Sequence, residues 1–123
     1  MGVNHTTAKS FGFAFEGVKT ALKNEPNLRV HITFGALALL AAVLLGFTTY
    51  EWLILTITIF FVLALELLNT ALESIVNLIS PKKNPVAKAA KDVSAAMVLF
   101  ASIMALFVGG VLFLPKIAVL LQK

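Results

Sequence analysis

Apolar residues in this chain fall into three long runs separated by short polar stretches. Residues 30–50, 52–65 and 93–114 contain no Asp, Glu, Lys or Arg. A helix rises about 1.5 Å per residue, so about 20 residues cross a hydrocarbon core of about 30 Å. The first and third runs therefore predict transmembrane helices over residues 27–49 and 92–114, the latter ending at Pro115. The second run crosses only if Glu66, and with it Glu73, is admitted to the helix. From Trp52 to Ser80 it would run about 43 Å, so a helix over residues 52–79 extends its second half out of the membrane into the cytoplasm.

Ahead of these runs, Phe11, Phe15, Val18 and Leu22 recur at helical spacing, with Lys9, Glu16, Lys19 and Lys23 between them. That pattern predicts an amphipathic helix over residues 7–24 lying in the membrane interface. The competing reading is a cytosolic helix packed on the chain's own loops. Asn24-Glu25-Pro26 ends the segment, because the residue before a proline is pushed out of the helical region. Pro26 is suited to open the next helix. The expected fold is all-α and integral to the membrane: one domain over residues 1–123, with three transmembrane helices behind an interfacial one.

Composition strengthens this reading. Hydrophobic residues make up 59% of the 123 and charged residues 13%, against roughly 45–50% and 25% in soluble domains. Mean hydropathy is +0.95. A small soluble domain could not build a polar exterior from so few charges. The chain has no cysteine, so disulfides, thiolate metal sites and cysteine nucleophiles are excluded. A net charge of +4 is too small and too scattered to argue for nucleic acid. Its distribution speaks instead of topology. Lys9, Lys19, Lys23, Arg29, Lys82, Lys83, Lys88 and Lys91 are eight of the ten cations, and they flank one end of the spans. The positive-inside rule then sets the N-terminus and the second loop in the cytoplasm.

Several weaker signals are set aside. The start has no continuous apolar segment behind Lys9 and does not read as a signal peptide. Met1-Gly2 through Thr6 matches a myristoylation pattern, but three spans need no lipid anchor. Gly12 and Gly17 have P-loop spacing without the following Lys-Ser/Thr. His5 and His31 have no partner at a zinc spacing. Gly109-Gly110 reads as a site of close helix packing.

The acids of the second span are harder to set aside. An ionisable group inside a span costs roughly 2.5–3.5 kcal/mol. Glu66, Asn69, Thr70 and Glu73 stand at i, i+3, i+4 and i+7, so they share one helix face, which Asn77 continues. Asn69 and Thr70 alone could be interhelical glue; two glutamates point to function. A hairpin turning near Thr48 and Thr49 sets Glu25 level with Glu73. A second, turning near Lys82 and Lys83, sets Glu73 level with Asp92. Glu25, Glu73, Asp92 and Lys91 would then form one layer at the cytoplasmic interface, with Glu66 about 10 Å deeper. Clustered carboxylates suit Mg2+ shared with phosphates, and the loop lysines suit the phosphates themselves. Glu66 could take a proton from a lipid headgroup hydroxyl. Phosphoryl transfer from a cytosolic nucleotide to a membrane-borne alcohol would use all of these parts.

The same residues carry a resemblance. Glu66-Leu-Leu-Asn69-Thr70-Ala-Leu-Glu73, followed by Ala87-Lys88-Ala-Ala-Lys91-Asp92, resembles the signature E-x-x-N-S/T-A-I/L-E, then A-K-x-x-K-D, of bacterial diacylglycerol kinases and undecaprenol kinases. Ser10-Phe11-x-x-Ala14-Phe15-x-Gly17 and Glu25-x-Asn27-x-Arg29-x-His31 are similar to family segments as well. The resemblance covers residues 9 to about 114. It implies a bacterial inner-membrane enzyme, a homotrimer with active sites shared between neighbouring subunits, using ATP and Mg2+. By family position Glu66 is the catalytic base, supported by Asn69, and Glu25 and Glu73 hold the metal that carries ATP. Lys91 and Asp92 contact the nucleotide, with Lys82, Lys83 and Asn84 as further loop contacts.

Three positions depart from the family pattern. Asn77 stands where aspartate is usual, Asn84-Pro85 where many members have a histidine and another residue, and Lys9 is the nearest cation to the start. Asn27, Arg29 and His31, at the lipid entry to the first span, resemble the undecaprenol branch more than the diacylglycerol branch. Other classes compatible with an intramembrane glutamate are a small transporter and a noncatalytic packing subunit. The first usually needs four spans, and Glu66 would be costly without return to the second.

Overall fold

The computed structural model describes residues 6–122, so the myristoylation match and His5 lie outside the described residues. The described residues form four helices: α1 (Thr7–Asn24), α2 (Pro26–Leu44), α3 (Thr49–Ile79) and α4 (Pro85–Leu121). The last three are long and apolar enough to cross a membrane. α3 and α4 form the most extensive pair, α2 packs on α3, and α1 touches α2 and, more lightly, α3. The chain's own core is small. Ala42, Phe47, Leu55 and Leu112 cluster beside the α2–α3 loop. Most large apolar side chains of the spans face outwards, as expected of a surface in contact with lipid.

The boundaries have local causes, and four differ from expectation by three residues or more. α2 stops at Leu44 rather than at 49. Gly46, with φ +64°, adopts the left-handed conformation just past the helix. The Gly46 and Phe47 amides donate back to the Val43 and Ala42 carbonyls, at 3.2 and 3.1 Å. This glycine-terminated arrangement closes the last turn. α3 begins at Thr49 rather than at 52, because Thr48 and Glu51 make a reciprocal capping box. The Thr48 amide donates to the Glu51 carboxylate at 2.7 Å, and the Glu51 amide to Thr48 Oγ1 at 3.4 Å.

α4 starts at Pro85 rather than at 92 and runs through Pro115 to Leu121. Asn84 Oδ1 accepts from the Val86 amide at 2.8 Å, and Pro85 occupies the first turn, where its missing N–H is no loss. Pro115 was expected to end the helix. It stays inside because membrane helices tolerate the lost hydrogen bond where neighbours hold the backbone, here Phe113 on one side and Lys116 on the other, both packed on Phe47.

α1 buries only Ala21. Phe11 and Phe15 are 64% and 74% exposed, so no loop among the described residues covers them. The glycine pair makes no close approach to another helix of its own chain. A Cβ at Gly109 would meet nothing within 4 Å, and one at Gly110 only Leu114 of its own helix. The close approach within the chain is at Gly35, where a Cβ would lie 3.0 Å from Ile59 Cγ2.

Candidate functional site

Glu66 sits in the middle of α3 and is 2% exposed. A carboxyl group enclosed among apolar helices is the least expected side chain in the bundle. The chain buries Glu66 without help, whereas Asn69 and Thr70 of the same face are half-buried and Asn77 is exposed. The charged or titratable groups that act on Glu66 electrostatically are His31 and Glu25, both from the α1–α2 segment. Thr70, one turn on, donates its hydroxyl to the Glu66 carbonyl at 3.0 Å and so stays on the backbone.

From Glu66 towards the α3–α4 loop, the same face carries Asn69 and then Glu73. Both meet α4. Ser94, itself 4% exposed, donates its hydroxyl to Asn69 Oδ1. Lys91 sets its ammonium 3.5 Å from Glu73. Lys91 and Ser94 are three residues apart on α4, Asn69 and Glu73 four apart on α3, so the two contacts are adjacent rungs between one pair of helices. α4 thus lies at the height expected relative to Glu73.

The α2–α3 register differs. Gly35 faces Ile59, and ten residues back along α2 corresponds to ten forward along α3, which sets Glu25 level with Asn69. The expected level was Glu73, four residues or about 6 Å further on. The displacement follows from the loop, which turns at Gly46 instead of at Thr48–Thr49. Glu25 therefore stands between the two acids of α3 in height. Asp92 stays at the expected height, next to Lys91, but its side chain pairs with Lys88 on its own helix at 2.5 Å, both mostly in solvent.

Among the remaining expected residues, Asn27 and Arg29 are exposed and His31 half-buried. His31 lines an apolar groove that continues along Phe34, Gly35 and Ala38 of α2, bordered by Thr58 and Val62 of α3 and Ser102 of α4. Lys82 and Lys83 are exposed in the α3–α4 loop. Together with Asn77, Lys88 and Lys91 they line a second, wider hollow. Asn84 contributes its carboxamide oxygen to the cap of α4. No group of three or more acids and histidines able to hold a metal occurs among the described residues. Mg2+ commonly takes one or two carboxylates and completes its shell with phosphate and water. Glu25 and Glu73 fit that limited donor role. Ser94 was missed by sequence reasoning, since a serine in an apolar helix gives no sign of its partner until the register is known.

The family model for prokaryotic diacylglycerol kinase matches residues 12–113, which contain every element of this site. The chain belongs to that family. Membership makes it a lipid kinase of bacterial membranes, a family that implies a phosphoryl donor. Among curated relatives, the chain is 37% identical to the undecaprenol kinase of Bacillus subtilis over 109 residues, 89% of each protein. It is 42% identical to the diacylglycerol kinase of Synechocystis sp. over 109 residues, 88% of this chain and 62% of that protein. A diacylglycerol kinase of Haemophilus influenzae is 32% identical over 91% of this chain and 95% of its own length.

Proposed function

We propose that this kinase transfers the γ-phosphoryl group of ATP to the hydroxyl of a membrane lipid alcohol, with undecaprenol preferred and diacylglycerol a slower substrate. The observation that carries the chemistry is Glu66, a fully buried acid in a spanning helix, one face shared with Asn69 and Glu73. Glu66 accepts the proton of the lipid hydroxyl as its oxygen attacks phosphorus. Asn69, one turn closer to the loop, donates to the reacting oxygens. Mg2+, when bound, neutralises phosphate charge, and Glu25 and Glu73 would hold it. Lys91 steadies the transferred phosphates, and Asp92, Lys82, Lys83 and Asn84 contact the nucleotide at the rim.

The rest of the reading follows the same frame. The N-terminus and the α3–α4 loop lie in the cytoplasm, where ATP is. α1 lies in the interface with Phe11 and Phe15 towards lipid. Three copies assemble, and neighbouring subunits complete the sites. Asn27, Arg29 and His31 border the entry of the lipid headgroup, and the apolar groove beyond His31 is of a kind to take a lipid chain.

Undecaprenol is favoured because Asn27, Arg29 and His31 follow that branch, and because the Bacillus relative named for it aligns over nearly its whole length. The higher identity to the Synechocystis enzyme favours diacylglycerol. Measuring kcat/KM for both lipids in one mixed-micelle system with labelled ATP decides. A diacylglycerol value above the undecaprenol value would reverse the preference, and no phosphorylated lipid of either kind would remove the function.

A further inference from the structure

An asparagine presents an acceptor on one side of its carboxamide and two donors on the other, and only its hydrogen bonds decide which way round it sits. The Asn69 carboxamide oxygen is taken by the Ser94 hydroxyl. Among the described residues its amide nitrogen has no partner. Asn69 also stands between Glu66 and Glu73 on the one face, at the level of Glu25. That is the height at which a lipid oxygen activated by Glu66 would meet a phosphate held near Glu73. Every atom arriving there is an oxygen rich in electrons, so donors facing it attract and an acceptor facing it repels.

We infer that Ser94 is a positioning residue: its hydroxyl, donated to Oδ1, anchors the Asn69 carboxamide across the helix pair and leaves the amide donors to face the reacting oxygens. The geometry suits that task. Ser94 is buried on the face of α4 that also carries Val98 and Ala101, both buried, so its own position is fixed by packing. Ser74 and Ser102 differ, each returning its hydroxyl to the carbonyl four residues earlier on its own helix. Ser94 alone among the hydrogen-bonded serines of the described spans reaches across to another helix. Without it the carboxamide is free to turn over, and a turned amide opposes the transferring group while leaving the loop lysines and both flanking acids in place.

This inference rests on Asn69 acting in the reaction, and a double-mutant cycle separates the two. Turnover is measured with labelled ATP for the full-length protein in mixed micelles, for Ser94→Ala, Asn69→Ala and the pair. Ser94→Ala is expected to lower kcat roughly tenfold with KM for MgATP within about twofold, the pattern of a misplaced group rather than of lost binding. In the Asn69→Ala background the same change is expected to cost less than about twofold, because there is no carboxamide left to orient. Ser94→Ala with unchanged kcat, or with an equal loss in both backgrounds, overturns the positioning role while Asn69 keeps its own. Unchanged kcat in Asn69→Ala instead removes Asn69 from the site reading. A melting temperature for each variant guards against an effect of packing alone, and a kcat loss that tracks lost folded protein also overturns the inference.

Discussion

Lys116, six residues before the end of the described chain, holds its ammonium 3.0 Å from the carboxylate of Glu51 in the first turn of α3. The same ammonium lies 5.4 Å from the centre of the Phe47 ring and 3.5 Å from the Gly46 carbonyl. Phe47 in turn packs on Phe113 at 4.8 Å and edge-on to Trp52 at 6.2 Å. One cluster therefore ties the end of α2, the start of α3 and the last turns of α4, at the end of the bundle remote from the acids. Both charged side chains are about three-quarters sheltered, and Glu51 also caps α3. Lys116→Met is expected to destabilise by about 1 kcal/mol. Glu51→Ala, which loses the cap as well, should lower the unfolding midpoint further. Thermal unfolding in mild detergent measures both, and kcat per folded molecule should not change.

The approach of α2 to α3 gives a second expectation. With Ile59 Cγ2 already 3.0 Å from where a Cβ would stand, Gly35→Val must push the helices apart. A cost of roughly 1–3 kcal/mol is expected, and Ile59→Ala in the same chain should return part of it. Additive losses in the unfolding midpoints would show that the contact does not set the spacing.

These two regions also show what could be read from the chain and what could not. The intramembrane acids were legible because charge inside an apolar run has no ordinary explanation. The height of α4 against α3 was legible because the loop between Ser80 and Pro85 is short. The α2–α3 register slipped by a turn although its signals were present: Gly46 as a left-handed terminator, and Thr48-x-x-Glu51 as a capping box. Charge-free length alone runs the first span past both. It likewise starts the third span at Asp92, although Asn84-Pro85 marks an N-terminus by backbone chemistry. Pro115 and Ser94 are different. Their roles depend on Lys116 meeting Glu51 and on Asn69 lying opposite, which no local pattern encodes.

Topology is expected to follow the eight cations at one end. Lys83→Cys and Gln122→Cys, in separate copies of the cysteine-free chain, should react with a membrane-impermeant maleimide from opposite faces of sealed vesicles. Reaction of both from the same face would overturn the orientation and the count of spans together.

Assembly is expected to be trimeric. Since Glu66 is enclosed by its own chain, shielding that acid supplies no reason for association. The reasons left are the apolar groove along α2, α3 and α4 and the completion of sites by neighbours. Native mass measurement in mild detergent should give three chains per particle. Full turnover from a monomer in the same detergent would defeat it.

The division between base and metal ligands is the sharpest expectation. Glu66 is buried and does not line the lysine-lined hollow, whereas Glu73 already faces the ammonium of Lys91. Glu66→Gln keeps the shape of the side chain, exchanges one acceptor oxygen for an amide donor, and cannot act as a proton acceptor. It should lower kcat by roughly a hundredfold or more, the usual range for a lost general base, with MgATP binding nearly intact. Glu25→Gln and Glu73→Gln remove negative charge where the metal is to be held, so MgATP should bind more weakly in both, and raised Mg2+ should recover part of the loss. Glu25, level with Asn69 between the two acids of α3, should show the mixed pattern, with kcat reduced even at saturating MgATP. Binding is read by displacement of a fluorescent nucleotide and turnover with labelled ATP on the same preparations. Near wild-type kcat in Glu66→Gln would take the proton-accepting role from Glu66, and unaltered MgATP affinity in Glu73→Gln would take the metal from Glu73.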